Sequence, residues 1–339
     1  MSKLSIGILA GLAIAWTVAT PARAQTVLRF SNWVPPTHPV STDIIGKWAK
    51  NVETATKGRV KIDIVSRLGK PPAHFDLVKN GVADVAFAVH SYTAARFQLT
   101  VGAELPFYAK DSRSASIAYW RMHKKFFEKA NEHKGVRLIG LWVHGPAHIF
   151  TREKQIKTID DLKNLKIRVA GGITKDIAVA LGVVPFFAPA PKSYEVLSKG
   201  VADGIFFPSE SIYNFKVVPV IKYALKIPGG LYRSSQYIIM NQAKWDALSD
   251  EDKRAIDSVS GEKLAELAAA MWDTQDKLGE EAMRKAGTTF TTASGQLLAD
   301  IKSRIGHLEG EWIKKAAKKG VDGARALAFY REQIAALSK

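Results

Sequence analysis

Two stretches of this chain, 120 residues apart, carry nearly the same instruction for a helix, a turn and a strand. LVKNGVADVAFA (Leu77–Ala88) and LSKGVADGIFF (Leu197–Phe207) both end a helix at Lys and Gly and lead through Val-Ala-Asp into an apolar strand. Each copy lies downstream of a strand carrying Lys-Ile, KIDIV at Lys61–Val65 and KIRVA at Lys166–Ala170. A unit that recurs once at this distance is not a solenoid period. It predicts two lobes of like α/β architecture, each with β–α–β units and its own sheet core.

The remaining pattern fits that plan. Val27–Asn32 is strand-like, a helix follows from Ser41 with Ile44, Ile45, Trp48 and Val52 on one face, and Gly58 stops it. Arg59–Val65 alternates polar and apolar residues and reads as a strand. Thr158 to Asp161 fits a capping box before the strand Leu165–Val169, which ends at Gly171-Gly172. From Ser249 the chain turns helical, and Lys253–Lys285 is read as one long helix or a kinked pair. Ser294–Lys319 and Asp322–Leu337 supply two more helices, which brace the lobes.

The first 24 residues bear on the compartment. Lys3 gives a positive start, Leu4 to Ala19 is uncharged and mostly apolar, and Ala22-Arg23-Ala24 is a small-x-small cleavage signal. The expectation is a cleaved secretory signal peptide at 1–24, with a mature chain from Gln25 that is soluble and not membrane-anchored. There is no cysteine, which excludes disulfides, thiol nucleophiles, lipoprotein anchoring and Cys-ligated metal. Removing Lys3 and Arg23 takes the formal charge from +17 to +15. The basic residues are spread along the chain, and the densest group (Lys314, Lys315, Lys318, Lys319) shares a helix with Glu309 and Glu311. A solvated helix face explains it better than a nucleic-acid footprint.

Enzymatic and cofactor motifs are missing: there is no G-x-S-x-G, no P-loop, no G-x-G-x-x-G and no H-E-x-x-H. His144 and His148 have helical metal-ligand spacing, but Gly145 and Pro146 between them argue against a helix and so against a metal site. No catalytic residue, cofactor or metal is expected. Arg168 stands out within the apolar strand LKIRVAGG, before a double glycine and a helix start. A guanidinium there can fork onto a carboxylate; equally, pattern alone allows an arginine on the exposed face of an edge strand. Trp33, Tyr92, Trp142, Phe206 and Phe207 sit at strand ends, where open α/β sheets bind ligands, although any one of them can instead be core.

Across nearly all of the mature chain the sequence resembles the extracytoplasmic solute-binding subunit of tripartite ATP-independent periplasmic (TRAP) transporters. The matching pieces run from LRFSNWVPPTHPV and GRVKIDIV through LVKNGVADVAF, ELPF, TIDDLKNLKIRV and LGVVPFFAP to the second KGVADG-x-x-x-P and SSQYIIMNQAKWDALSDEDK. The resemblance implies a periplasmic-binding-protein-like fold of two lobes with a ligand cleft between them and a long helix spanning both. The expected division is lobe I, 25–146 plus 234–275, and lobe II, 147–233 plus 276–339 with the bracing helices. It also implies a periplasmic receptor that hands its ligand to a TRAP membrane permease driven by an ion gradient.

Arg168 falls on the family's carboxylate-binding arginine. Where many members offer an Asn before the Pro of the second DG-x-x-x-P segment, this chain has Phe207; near the second arginine of some members it has His148. The segment AVHSYTAARF makes His90, Ser91 and Tyr92 candidate contacts. The expected ligand is a small monocarboxylate with an aromatic or apolar body. Arg168 would hold it, Trp33, Trp142, Phe206 and Phe207 would line the pocket, and Asn32, His90, Ser91, Tyr92, His144 and His148 are the polar candidates. The alternatives are a C4-dicarboxylate, a 2-oxo acid or a sugar acid, with His148 serving the second polar group, and, from another class, a secreted α/β enzyme acting on an acidic substrate.

Overall fold

The computed structural model describes residues 25–66 and 68–338, so the expected signal peptide at 1–24 lies outside the described residues. The chain opens with β1 (Thr26–Asn32), α1 (Lys47–Ala55), β2 (Val60–Ser66), α2 (His74–Lys79), β3 (Val85–Val89), α3 (Ser112–Met122) and β4 (Val136–Val143). It continues through β5 (Ala147–Thr151), β6 (Lys166–Val169), α4 (Ile173–Ala180), β7 (Val184–Phe187), α5 (Ser193–Ser198), β8 (Gly204–Pro208), α6 (Ser209–Asn214) and β9 (Tyr223–Lys226). It then returns through β10 (Ser235–Asn241), α7 (Gln242–Asp246), α8 (Asp250–Ser258) and α9 (Glu262–Lys285). The last elements are β11 (Thr289–Thr292), α10 (Gly295–Ile305), α11 (His307–Lys318) and α12 (Gly323–Leu337).

Hydrogen bonding gathers these strands into two sheets, β2-β1-β3-β10-β4 and β11-β9-β5-β8-β6-β7. The repeated sequence builds the same corner in each. Its helix ends at a glycine in the left-handed region, Gly81 (φ 74°) or Gly200 (φ 68°), which lets the chain reverse without a Cβ penalty. The Asp that follows then clamps the start of the neighbouring parallel strand. Asp84 Oδ2 accepts from the Arg29 amide at 2.8 Å, and Asp203 Oδ2 accepts from the Lys166 amide at 2.7 Å. In each pair the Asp amide donates back, to the carbonyl of Arg29 or Lys166. The two corners place β3 beside β1 and β8 beside β6 with matching geometry.

β10 enters the first sheet antiparallel between β3 and β4, so the chain crosses from one sheet to the other after β4 and back after β9. The third crossing is α9. Its first half (Leu264, Ala265, Ala268, Met271) packs in the core of the first sheet, whereas Met283 near its end lies in the core around β8. At 24 residues the helix is roughly 36 Å long, enough to span both lobes. The helical run 253–285 is a pair rather than one rod, because the chain turns at Gly261 (φ 59°) against the Trp120 ring. The run 294–319 likewise divides, into α10 and α11, at Gly306. Towards the C-terminus, Arg304 of α10 reaches the Leu181 carbonyl beyond α4, while Trp312 of α11 donates to Gln98 O and α12 sets Phe329 at a tilt against Phe126.

Where α9 crosses the second sheet its backbone approaches α6 so closely that only glycine fits. A Cβ at Gly279 would sit 2.6 Å from the Ser209 carbonyl carbon and overlap its oxygen. Backbone atoms cannot rotate away, so Gly279→Ala should destabilise the ligand-free protein by about 1–3 kcal/mol in urea unfolding. Gly310→Ala, in the exposed face of α11 with nothing within 4 Å, should stabilise it by about 0.5–1 kcal/mol. Equal effects at the two sites would contradict this packing.

Candidate ligand-binding site

The carboxyl ends of β1, β3, β6 and β8 converge on one cavity, the place where open α/β sheets take their ligands. Trp33, Phe87 and Tyr92 face it from the first sheet; Arg168 and Phe207 face it from the second. His144 and Tyr232 come from the crossing segments and Trp272 from α9. The aromatic wall is held in register by stacking. Trp33 lies on Phe87 (5.3 Å, 15°) and donates its indole N–H to the Phe87 carbonyl, while Phe87 lies on Trp142 (5.8 Å, 9°).

Arg168 is the group that sets the chemistry. It has no solvent exposure, because β6 lies between β7 and β8 and its side chain is directed under the opposite lobe. Its Nε donates to the Ala188 carbonyl at 2.8 Å, and its guanidinium carbon sits 4.7 Å over the Phe207 ring. Nη1 and Nη2 are buried and make no hydrogen bond of standard geometry, with the Tyr92 hydroxyl beside the guanidinium. Desolvation pulls its pKa down from 12.5, with the Tyr92 and Tyr232 phenols opposing that shift. Among the described residues no carboxylate comes within ion-pair distance of it. A buried cation of this kind is costly until an anion meets it.

The lobes meet across this cavity through specific bonds. The Tyr92 hydroxyl accepts from the Ala190 amide at 2.9 Å, and His38 Nε2 lies 3.4 Å from Glu210 Oε1. The hydroxyl of Ser211 donates to Glu210 Oε2 at 2.6 Å, and the Glu210 amide donates to Asp276 Oδ1 on α9 at 2.7 Å. Burial pushes the Glu210 carboxyl up to about 8 and the Asp276 carboxyl to about 7. Burial, with Lys216 adding to it, takes His38 down to about 3. At neutral pH the contact between lobes is therefore a protonated carboxyl facing a neutral imidazole, which avoids desolvating two charges.

The model of bacterial extracellular solute-binding protein family 7 (DctP) matches residues 30–315. The chain belongs to this family. Its fold is that of TRAP solute-binding proteins: one from Bordetella bronchiseptica, solved with bound (R)-mandelate and (S)-mandelate, is 42% identical with a TM-score of 0.90, covering 92% of this chain and 99% of that one. A marine metagenome TRAP protein described as specific for aromatic acid ligands, in complex with 3-hydroxybenzoate, is 32% identical with a TM-score of 0.86, covering 93% and 100%. By sequence the chain is also 32% identical over 329 residues to a Comamonas testosteroni protein named outer membrane transporter protein TsaT, covering 96% of this chain and 97% of that protein. The family's members are solute-binding receptors, and this chain is a receptor rather than an enzyme. Among its described residues no helix is long and apolar enough to cross a membrane.

Of the residues singled out from the sequence, the receptor brings Trp33, Tyr92, His144, Arg168 and Phe207 to the cavity wall. The others are placed elsewhere. Asn32 braces the loop after β1, accepting from the Val34 amide and donating to Ser41 Oγ. Trp142 backs the wall behind Phe87 and donates to Gln236 Oε1. His90 is in the first-sheet core, its ring nitrogens 2.9 Å from His133 Nε2 and from Ser235 Oγ. Ser91 is buried where its carbonyl meets Gly171 of the other lobe. Phe206 lies in the core on the far face of β8, with its carbonyl accepting from the Tyr232 hydroxyl. His148 accepts from the Ile227 amide and borders a different hollow, beside Lys226 and Asp276. Sequence reading missed His38, Glu210 and Trp272; only His38 carried a signal, its place in the matched segment WVPPTHPV.

Burial also sets how stability depends on pH. Seven of the eight histidines (His38, His74, His90, His123, His133, His144, His148) are held below the ordinary value of 6.5, chiefly by desolvation. Below about pH 6.5 the unfolded chain binds more protons at these sites than the folded one, so stability falls as pH drops. Glu104, Glu210 and Asp276 are shifted up, to between about 7 and 8; there the folded chain holds the extra protons, and stability falls as pH rises toward 8. The melting temperature of the ligand-free receptor should peak near pH 6.5 and decline toward both pH 5 and pH 8.5. A profile flat across that range would contradict the burial of these groups.

Proposed function

We propose that this receptor captures an aromatic or otherwise apolar monocarboxylate in the periplasm, after export by a cleaved signal peptide, and delivers it to the membrane subunits of an ion-gradient-driven TRAP permease. The observation that carries the reading is the pair of unpartnered Nη groups of Arg168 at the end of an aromatic cavity. A carboxylate fits both donors at once, a geometry that a guanidinium recognises and an ammonium does not. Arg168 is the single lysine or arginine among the described residues lining the cavity, which favours one carboxylate over two. Phe207 replaces a polar contact by a ring that already carries the guanidinium on its face. The mandelate and 3-hydroxybenzoate bound by the relatives are acids of this class. The lobes are taken as 25–146 plus 234–275 and 147–233 plus 276–339, closing around the ligand on the crossing segments and α9, a motion in the repertoire of periplasmic binders.

Arg168→Ala should fold but lose about 2–5 kcal/mol of affinity for benzoate or mandelate in calorimetry, since the carboxylate would be desolvated without its ionic partner. Arg168→Lys should recover only part of that loss. An Ala variant binding within a factor of two of wild type would remove Arg168 from the site.

Phe207→Asn separates the aromatic preference from carboxylate binding. It should weaken an aromatic acid by about 0.5–1.5 kcal/mol, because an amide cannot stack on the ligand ring as a phenyl does. Binding of a non-aromatic hydroxy acid or a C4-dicarboxylic acid should be unchanged or improved. A ligand screen in which only C4-dicarboxylates or sugar acids stabilise the wild-type protein would reject the aromatic preference and leave Arg168 as the anion clamp.

A further inference from the structure

Trp272 is a further cavity-wall residue whose donor has no protein acceptor. It lies on α9, is 3% exposed, and its indole N–H has no hydrogen-bond partner. Buried indoles elsewhere in the receptor do not behave this way. Trp48 donates to Ser260 Oγ, Trp142 to Gln236 Oε1 and Trp312 to the Gln98 carbonyl. An orphaned buried donor carries a desolvation penalty, and tryptophan N–H groups normally find a partner when buried.

The neighbours of Trp272 cannot supply that partner. His144 is tilted against its ring at 5.6 Å, but both imidazole nitrogens are committed. Nε2 accepts from the Ser234 amide at 2.8 Å, which puts the proton on Nδ1, and Nδ1 donates to the Gly145 carbonyl at 2.6 Å. Across the cavity the only other buried polar side-chain atoms in the wall without a hydrogen bond, among the described residues, are His38 Nε2 and the two Nη groups of Arg168. His38 Nε2 faces the Glu210 carboxyl. The wall thus asks its occupant for one carboxylate and for one further acceptor.

We infer that the Trp272 indole N–H reads a hydroxyl oxygen on the ligand, so that the receptor selects hydroxylated aromatic acids over their deoxy counterparts. The inference rests on the carboxylate reading above and adds the second polar group. A ligand hydroxyl accepts from the indole while keeping its own proton to donate, so it satisfies Trp272 without bringing a second charge into a cavity that holds one cation. Placing the reader on α9 also ties recognition of that oxygen to the helix that both lobes share.

The test uses two matched pairs, mandelate with phenylacetate and 3-hydroxybenzoate with benzoate, titrated by calorimetry into wild type and Trp272→Phe. In at least one pair the hydroxylated acid should bind wild type about tenfold tighter, and Trp272→Phe should shrink that advantage to about twofold. Packing losses affect both members of a pair and cancel in the ratio. Equal weakening of both members, or no hydroxyl advantage in wild type, would overturn the inference: the N–H would then serve the carboxylate or a bound water. Failure of all four acids to bind wild type would instead take down the carboxylate reading, and this one with it. Should Trp272→Phe not fold, indole ¹⁵N–¹H spectra of wild type give the answer. One indole proton should move with mandelate and stay in place with phenylacetate, and the same shift with both acids would reject the proposal.

Discussion

A buried positive charge with no protein counter-charge organises this receptor. Arg168 has no solvent exposure, one of its nitrogens is tied to a backbone carbonyl, and the remaining two donors are presented to the cavity. An arginine in such a place is unfavourable for the empty protein, and the energy it withholds from folding becomes binding energy for an anion of the right shape. The Phe207 face beneath the guanidinium offsets part of the cost and fixes the plane of the fork.

The surrounding structure is arranged to keep that charge dry without pairing it. Two buried carboxyl groups, Glu210 and Asp276, lie where the lobes meet α9. Burial raises the pKa of both carboxyls, and they bond to Ser211 and to backbone, with His38 Nε2 3.4 Å from Glu210, rather than to the guanidinium. Beside the cavity, the His38–Glu210 contact thus lies between groups that burial drives toward their neutral forms, together with the Tyr92–Ala190 bond. Neutral contacts across a closing surface cost less to expose on opening than ion pairs would, which suits a receptor that must release its ligand.

Some of the site was readable from the chain and some was not, for reasons visible in single elements. Phe206 and Phe207 both look like ligand contacts in sequence, but successive side chains of a strand face opposite ways, so only one can reach the cavity. His90, Ser91 and Tyr92 form part of a 3₁₀ turn that spreads the three side chains around its axis, and only Tyr92 arrives at the wall. Trp272 has the spacing of a core residue on α9 and is one, yet it also lines the cavity. No local pattern distinguishes such a residue from its fully buried neighbours.

Local chemistry alone determined the repeated corner, in which a left-handed glycine and an Asp that bonds to the adjacent strand need only a few neighbouring residues. It also determined the capping box at Thr158 and Asp161 and the apolar strand around Arg168. Tertiary structure alone decided that β10 would enter between β3 and β4, that α9 would pass Ser209 at Gly279, and that Arg168 would be buried rather than exposed at an edge. Those outcomes depend on contacts between residues far apart in the chain. Whether a polar atom is paired is a property of the assembled cavity, not of the segment that carries it.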